Sequence, residues 1–208
     1  MLRAKSLRAS PGKRRHALRG PTGATRHATL RPELQVGRRR RLQRMTNDAK
    51  AAHPAGVTVR RAAPEDAPAI GKLIVALAEF EKLPPPDEAA QERLFKDAFG
   101  PHPRFEIFLA ETGGTLAGYA FVFETYSTFL ALPTLYLEDL FVLPQFRGQR
   151  VGRALFQHCK EEAIRRGCGR YEWAVLDWNT HAIEFYKRQG AKHLHDWHVY
   201  RIPLTDQD

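Results

Sequence analysis

From Val57 onward apolar positions recur with two different periods, and the switches between them outline the elements. Val57 and Val59 alternate with polar neighbours over 57–60, the two-residue period of a short strand. Pro64 then opens a helix, where its missing N–H is no loss, and Glu65 and Asp66 suit the positive end of the helix dipole. Ile70, Leu73, Ile74 and Leu77 follow at helical spacing and mark a buried face that Glu81 continues. Pro84-Pro85-Pro86 ends this element, and a second helix is expected over 87–99. Residues 105–111 and 116–125 read as a hairpin turning at Gly113-Gly114, and 134–143 as the next strand. A helix over 151–166 keeps Val151, Leu155, Cys159 and Ala163 on one face, with Arg165 and Arg166 at its negative end and Gly167 as its stop. A strand over 171–176, a helix capped by Asn179 and closed by Gly190, and a last strand over 198–202 complete the pattern.

The order β-α-α-β-β-β-α-β-α-β implies a mixed sheet. The strand–helix–strand crossover from 134–143 to 171–176 makes those two strands parallel. The expected class is therefore α/β of the mixed α+β kind, a mostly antiparallel central sheet with one parallel strand pair and flanking helices.

Composition changes this picture at one end only. The 208 residues suffice for one full core, and 43% are apolar. The net charge of +10 is unevenly placed: residues 1–44 hold 14 Lys and Arg against one acid, Glu33, whereas 45–208 hold 19 Lys and Arg against 22 Asp and Glu, a net of −3. Residues 1–52, with Arg38-Arg39-Arg40-Arg41 and no apolar period, are expected to be a basic disordered extension, and 53–208 the folded domain. Three readings of the extension stand open: an RNA- or polyanion-binding tail, an Arg-rich transit peptide, or a segment before the true start at Met45. The last is favoured, so nucleic acid is a partner only if the tail is part of the protein.

Cys159 and Cys168 bracket a helix end, ~10 Å or more apart and too far for a disulfide, which points to a reducing compartment, the cytoplasm. Apolar runs such as 73–78 are far short of the ~20 residues a membrane helix needs, so no membrane partner is expected. His193, His195 and His198 lack a converging fourth ligand, although Asp196 lies between them, and no metal is expected. Trp173, Trp178 and Trp197 read most simply as core or interface residues.

The chemistry concentrates where the strand at 134–143 runs into a short loop with glycines and then a helix. Backbone N–H groups of such a loop, with the helix dipole behind them, form an anion site suited to a pyrophosphate. The acidic pair Glu138 and Asp139 precedes it. Adjacent strand residues face opposite ways, so the two are not expected to reach one substrate together.

Leu135-Tyr136-Leu137-Glu138-Asp139-Leu140-Phe141-Val142, Arg147-Gly148 through Gly152, Trp178-Asn179, Phe185-Tyr186-Lys187-Arg188-Gln189-Gly190-Ala191 and the earlier Leu77-Ala78-Glu79-Phe80-Glu81 together carry a pattern. Over about 57–202 the chain resembles the GNAT superfamily of acetyl-CoA-dependent N-acetyltransferases, and within it the spermidine/spermine (diamine) N-acetyltransferase-like branch. The resemblance implies a splayed parallel pair whose gap takes the pantetheine arm, with Leu140, Phe141 and Val142 bonding it through their main chain. Arg147, Gly148, Gln149, Arg150, Val151, Gly152 and Arg153 would hold the pyrophosphate, and Asn179 would stand near the arm. Phe80, Glu81, Glu138 and Asp139 would bind the acceptor amine, Glu138 would take its proton, and Tyr186 would protonate the departing thiolate.

It also implies acetyl-CoA as co-substrate, a small primary amine (polyamine, diamine or lysine-like) as acceptor, and a homodimer. The alternatives are a protein or aminoglycoside acceptor, or an RNA-binding protein whose domain senses acetyl-CoA without catalysis. One residue departs from the superfamily pattern: Arg150 stands where the loop usually has glycine. Arg150 is expected to be helical already, and so unstrained.

Overall fold

A computed structural model describes residues 56–204. The basic extension expected over 1–52, with Met45, lies outside the described residues. Among the described residues five strands form one sheet in chain order: β1 (Val57–Arg61), β2 (Glu106–Thr112), β3 (Thr115–Ser127), β4 (Leu132–Val142) and β5 (Arg170–Glu172). The first four are antiparallel and β5 runs parallel to β4, as the crossover requires. The helices are α1 (Ala67–Glu81), entered through a 3-10 turn at Pro64–Asp66, α2 (Glu88–Phe99), α3 (Val151–Arg165) and α4 (Thr180–Arg188).

The apolar run Ile107-Phe108-Leu109-Ala110 has no polar alternate because both faces of β2 are covered. Phe108 and Ala110 belong to the core under α3, with Val122, Leu135, Leu137, Val151, Leu155 and Cys159. Ile107 and Leu109 belong to the core under α1 and α2, with Ile70, Leu73, Tyr119, Phe121 and Phe141. The C-terminal end of α3 is tied down by Arg166, which reaches Glu106 on β2 at 2.7 Å and Glu162 one turn back at 3.1 Å. Cys159 and Cys168 are both free.

Two strands differ from the sequence pattern. The one expected over 171–176 ends at Glu172, because β4 offers it a partner only at Thr134, Leu135 and Tyr136. The one expected over 198–202 is absent. Val199, Tyr200 and Ile202 are 87%, 89% and 83% exposed. Strand propensity alone does not make a strand; a partner edge must satisfy its backbone, and β5 supplies one of only three residues.

β4 carries one irregularity that matters for function. Leu137 pairs with Val122 and Asp139 with Phe121, so Glu138 is an extra residue, a β-bulge.

Candidate active site

The site begins where β4 and β5 part. Over 137–142 the outer edge of β4 has no partner strand among the described residues. The Leu143 N–H donates to the Ala117 carbonyl on β3 at 2.9 Å. By alternation the main-chain groups of Phe141 also face β3, while those of Leu140 and Val142 turn to the open edge. Of the three residues expected to present main-chain groups there, the fold thus turns two outward. The Val142 carbonyl accepts from Arg147 Nε at 3.1 Å.

Beyond β4 the chain makes a 3-10 turn at Pro144–Phe146 and enters α3 through Gly148 (φ 77°) and Arg150 (φ 65°, ψ 7°). Arg150 is therefore left-handed, not helical as expected. The chain must reverse there to start α3, and a residue with a Cβ holds that conformation at ~1–2 kcal/mol. No side chain caps the N-terminus of α3, so its first N–H groups are open to an anion. Arg147, Gly148, Gln149, Arg150 and Arg153 are exposed around it. Val151 is buried in the core and contributes only its main chain, and a Cβ on Gly152 would stand 3.5 Å from Val142. An open strand edge leading to an uncapped helix start fits a ligand with an amide-bearing arm and a pyrophosphate, as acetyl-CoA has.

The acidic residues meet on the other side of the same strand. Leu135 and Leu137 face α3, and after the bulge so do Leu140 and Val142. Glu138 and Asp139, the two residues between, therefore both project from the opposite face. This overturns the expectation that they diverge: the bulge adds one residue to the alternation. Glu138 is exposed and Asp139 half-buried. Burial, then the charges of Glu138 and Glu81, push the Asp139 carboxyl up to about 7, and a long contact from Tyr119 Oη at 3.5 Å acts the other way. Burial also raises Glu81 at the last turn of α1. Tyr119, on β3, was not anticipated as part of this group. Its sequence signal is a polar hydroxyl within the apolar run 116–123 of β3.

Tyr186 lies on α4, half-buried, its ring centroid 4.8 Å from Trp173 and 5.7 Å from Phe156. Burial, then the charge of Asp139, pushes its phenol up to about 12, so it keeps its proton at neutral pH. The Asp139 charge acts on Tyr186, and the charges of Glu138 and Glu81 act on Asp139. Asn179 caps α4, its side-chain oxygen accepting from the Ala182 N–H at 3.2 Å, which leaves its amide nitrogen for other partners. Phe80 sits next to Glu81, and the Arg147 guanidinium lies 4.7 Å over its ring. Trp178, expected as core or interface, is 50% exposed and packs on Phe80. His193 and His195 lie on the exposed C-terminal segment, and among the described residues no group of three His, Cys, Asp or Glu is placed to hold a metal ion.

The chain is similar to known proteins in sequence and in fold. The pattern of the Acetyltransferase (GNAT) family matches residues 72–191. Thialysine N-epsilon-acetyltransferase of Sus scrofa is 36% identical over 159 residues, covering 71% of this chain and 93% of that protein. An L-ornithine N5-acetyltransferase of Arabidopsis thaliana is 28% identical over 189 residues, covering 69% of this chain and 83% of its own length. A solved structure described as a probable acetyltransferase superposes with a TM-score of 0.64 at 22% identity, covering 72% of this chain and 99% of that one.

Proposed function

The chain belongs to the acetyltransferase (GNAT) family, which uses acetyl-CoA as co-substrate, and from that premise we propose that its acceptor is the primary amine of a small cationic molecule, lysine-like or a diamine. The observation that supports the reading is a group of three carboxyl groups: Glu138 and Asp139 on one face of β4 at the bulge, and Glu81, whose charge acts on Asp139. The named activities of the similar proteins, on thialysine and on ornithine, point the same way.

Bound acetyl-CoA supplies an acetyl thioester, and the residues around it do the rest. An alkyl amine arrives protonated, its pKa near ~10, and has no lone pair to attack with. Glu138, exposed at the bulge, takes the ammonium proton directly or through one water. Asp139, with a pKa near neutrality, and Glu81 hold the ammonium in place. An N–H on the open edge at Leu140 or Val142 donates to the oxygen that gains charge as the amine adds to the thioester carbonyl. Tyr186, still protonated, gives its proton to the departing sulfur. Main-chain N–H groups at 148–152, with Arg150 and Arg153, hold the pyrophosphate, and the free amide of Asn179 bonds the arm.

Residues 53–208 form the catalytic domain in this reading. The exposed apolar residues of the C-terminal segment, Trp197, Val199, Tyr200, Ile202 and Leu204, support a homodimer, since a second copy would cover them. The two free cysteines support the cytoplasm as its place.

The test is thiol release from acetyl-CoA by the full chain against spermidine, putrescine, lysine, thialysine, an aminoglycoside and a basic peptide. Selective turnover of a small aliphatic amine is expected. Turnover of the peptide or the aminoglycoside alone would refute the acceptor assignment.

A further inference from the structure

We infer that Trp178 is a specificity-determining residue of the acceptor site, its indole and the Phe80 ring forming an apolar ledge for the methylene chain of an alkylammonium substrate. The inference rests on the amine-acceptor reading above and adds to it which amines are preferred. The two ring centroids are 5.8 Å apart and the rings are inclined at 53°. They come from two separate elements, Phe80 from the last turn of α1 and Trp178 from the segment that enters α4. Neither is a core side chain: Phe80 is 36% and Trp178 50% exposed. Two large aromatic rings that meet and are left partly in water offer the kind of surface that ligand sites use.

Three neighbours give the ledge its chemistry. Phe141 on β4, itself buried in the core, approaches Phe80 at 6.4 Å and backs the ledge against the strand whose open edge defines the site. The Arg147 guanidinium already sits over the Phe80 ring, 4.7 Å from its centroid. A ring face that holds a guanidinium attracts an ammonium by the same quadrupole interaction. The residue after Phe80 is Glu81, whose charge acts on Asp139 and Tyr119, so negative charge adjoins the ledge. A ligand matching both parts has an ammonium head and an unbranched run of methylenes. A polyhydroxylated amine has the head but gives the rings nothing apolar to cover.

Trp178→Ala and Trp178→Phe in the full chain test this, with steady-state kinetics on a series of α,ω-diamines of increasing chain length. Acetyl-CoA affinity and thermal unfolding are measured on the same samples. Trp178→Ala is expected to raise the amine KM about tenfold, equivalent to ~1.4 kcal/mol, with a factor that grows with chain length. Trp178→Phe is expected to raise it about threefold, with acetyl-CoA affinity and Tm unchanged in both. An unchanged amine KM overturns the inference while the acceptor reading stands. So does a loss of acetyl-CoA affinity in step with amine KM, which would place the indole on the cofactor. If the wild-type enzyme binds acetyl-CoA but turns over no diamine or lysine analogue, the acceptor reading itself falls, and the ledge with it.

Discussion

Replacing Arg150 by glycine should make the protein more stable, the reverse of what glycine does at an ordinary position. Arg150 holds φ 65° and ψ 7° at the entry to α3. For a residue with a Cβ this left-handed conformation is unfavourable by ~1–2 kcal/mol. Glycine adopts it freely but adds freedom to the unfolded chain, which returns ~0.4–1 kcal/mol. The balance favours Arg150→Gly by about 0.5–1 kcal/mol, a rise of ~2–4 °C in Tm at the upper figure for a domain of this size. Arg150→Ala is the control, because it removes the same guanidinium and keeps the strain.

Urea unfolding of both variants without ligand, extrapolated to water, gives the comparison. Glycine above alanine by about 0.5–1 kcal/mol is expected. Glycine equal to or below alanine would refute the strain, since that is the usual order where φ is negative. Both variants lose one exposed positive charge beside the proposed pyrophosphate site, so acetyl-CoA affinity should fall by a similar ~2–5-fold in each.

Four other outcomes are expected. Tyr186→Phe should lower kcat about 10²-fold or more with acetyl-CoA affinity and Tm unchanged; wild-type turnover in this variant removes Tyr186 as the acid. Glu138→Gln should lower kcat/KM about 10²-fold at neutral pH, and the deficit should shrink toward pH ~10, where the amine loses its proton unaided; a deficit constant with pH would mean Glu138 is not the base. Asp139 titrates at about 7 in the folded protein and ~3.9 unfolded, so the native state binds the proton more tightly between these values. Its contribution to stability is therefore greatest below pH ~4, falls as pH rises to ~7 and stays level above, and Asp139→Asn should remove that slope in urea unfolding followed across the range. Gly118→Ala should destabilise by ~3 kcal/mol or more, because a Cβ there would lie 2.3 Å from the Phe141 carbonyl oxygen on β4; stability within ~1 kcal/mol of wild type would contradict the close pairing of β3 and β4.

Much of the architecture follows from local rules that need no tertiary information. The helical stripe of Ile70, Leu73, Ile74 and Leu77, the Gly113-Gly114 hairpin, the Asn179 cap and the parallel crossover are each settled by residue type and spacing, and each is present. The turn between β4 and α3 is legible too: Gly148 takes a positive φ and the helix start carries no side-chain cap, the features the proposed anion site needs. The motif residues around Glu138, Asn179 and Tyr186 were likewise visible, because their spacing is a property of the chain.

What the chain alone left open depended on groups far apart in sequence. Glu138 and Asp139 share a face only because β3 meets β4 with one residue to spare, a matter of register between two strands. The strand over 198–202 has the right residues and no edge long enough to pair with. Arg150 is left-handed because the end of β4 and the start of α3 are both pinned by the core, at Phe141 and Val151, and the residues between must turn. Trp178 meets Phe80 because α1 ends beside it. Periodicity and spacing are local and act through one chain segment. Register, edge pairing and the meeting of two rings are relations between segments, decided when the sheet closes and the helices pack on it.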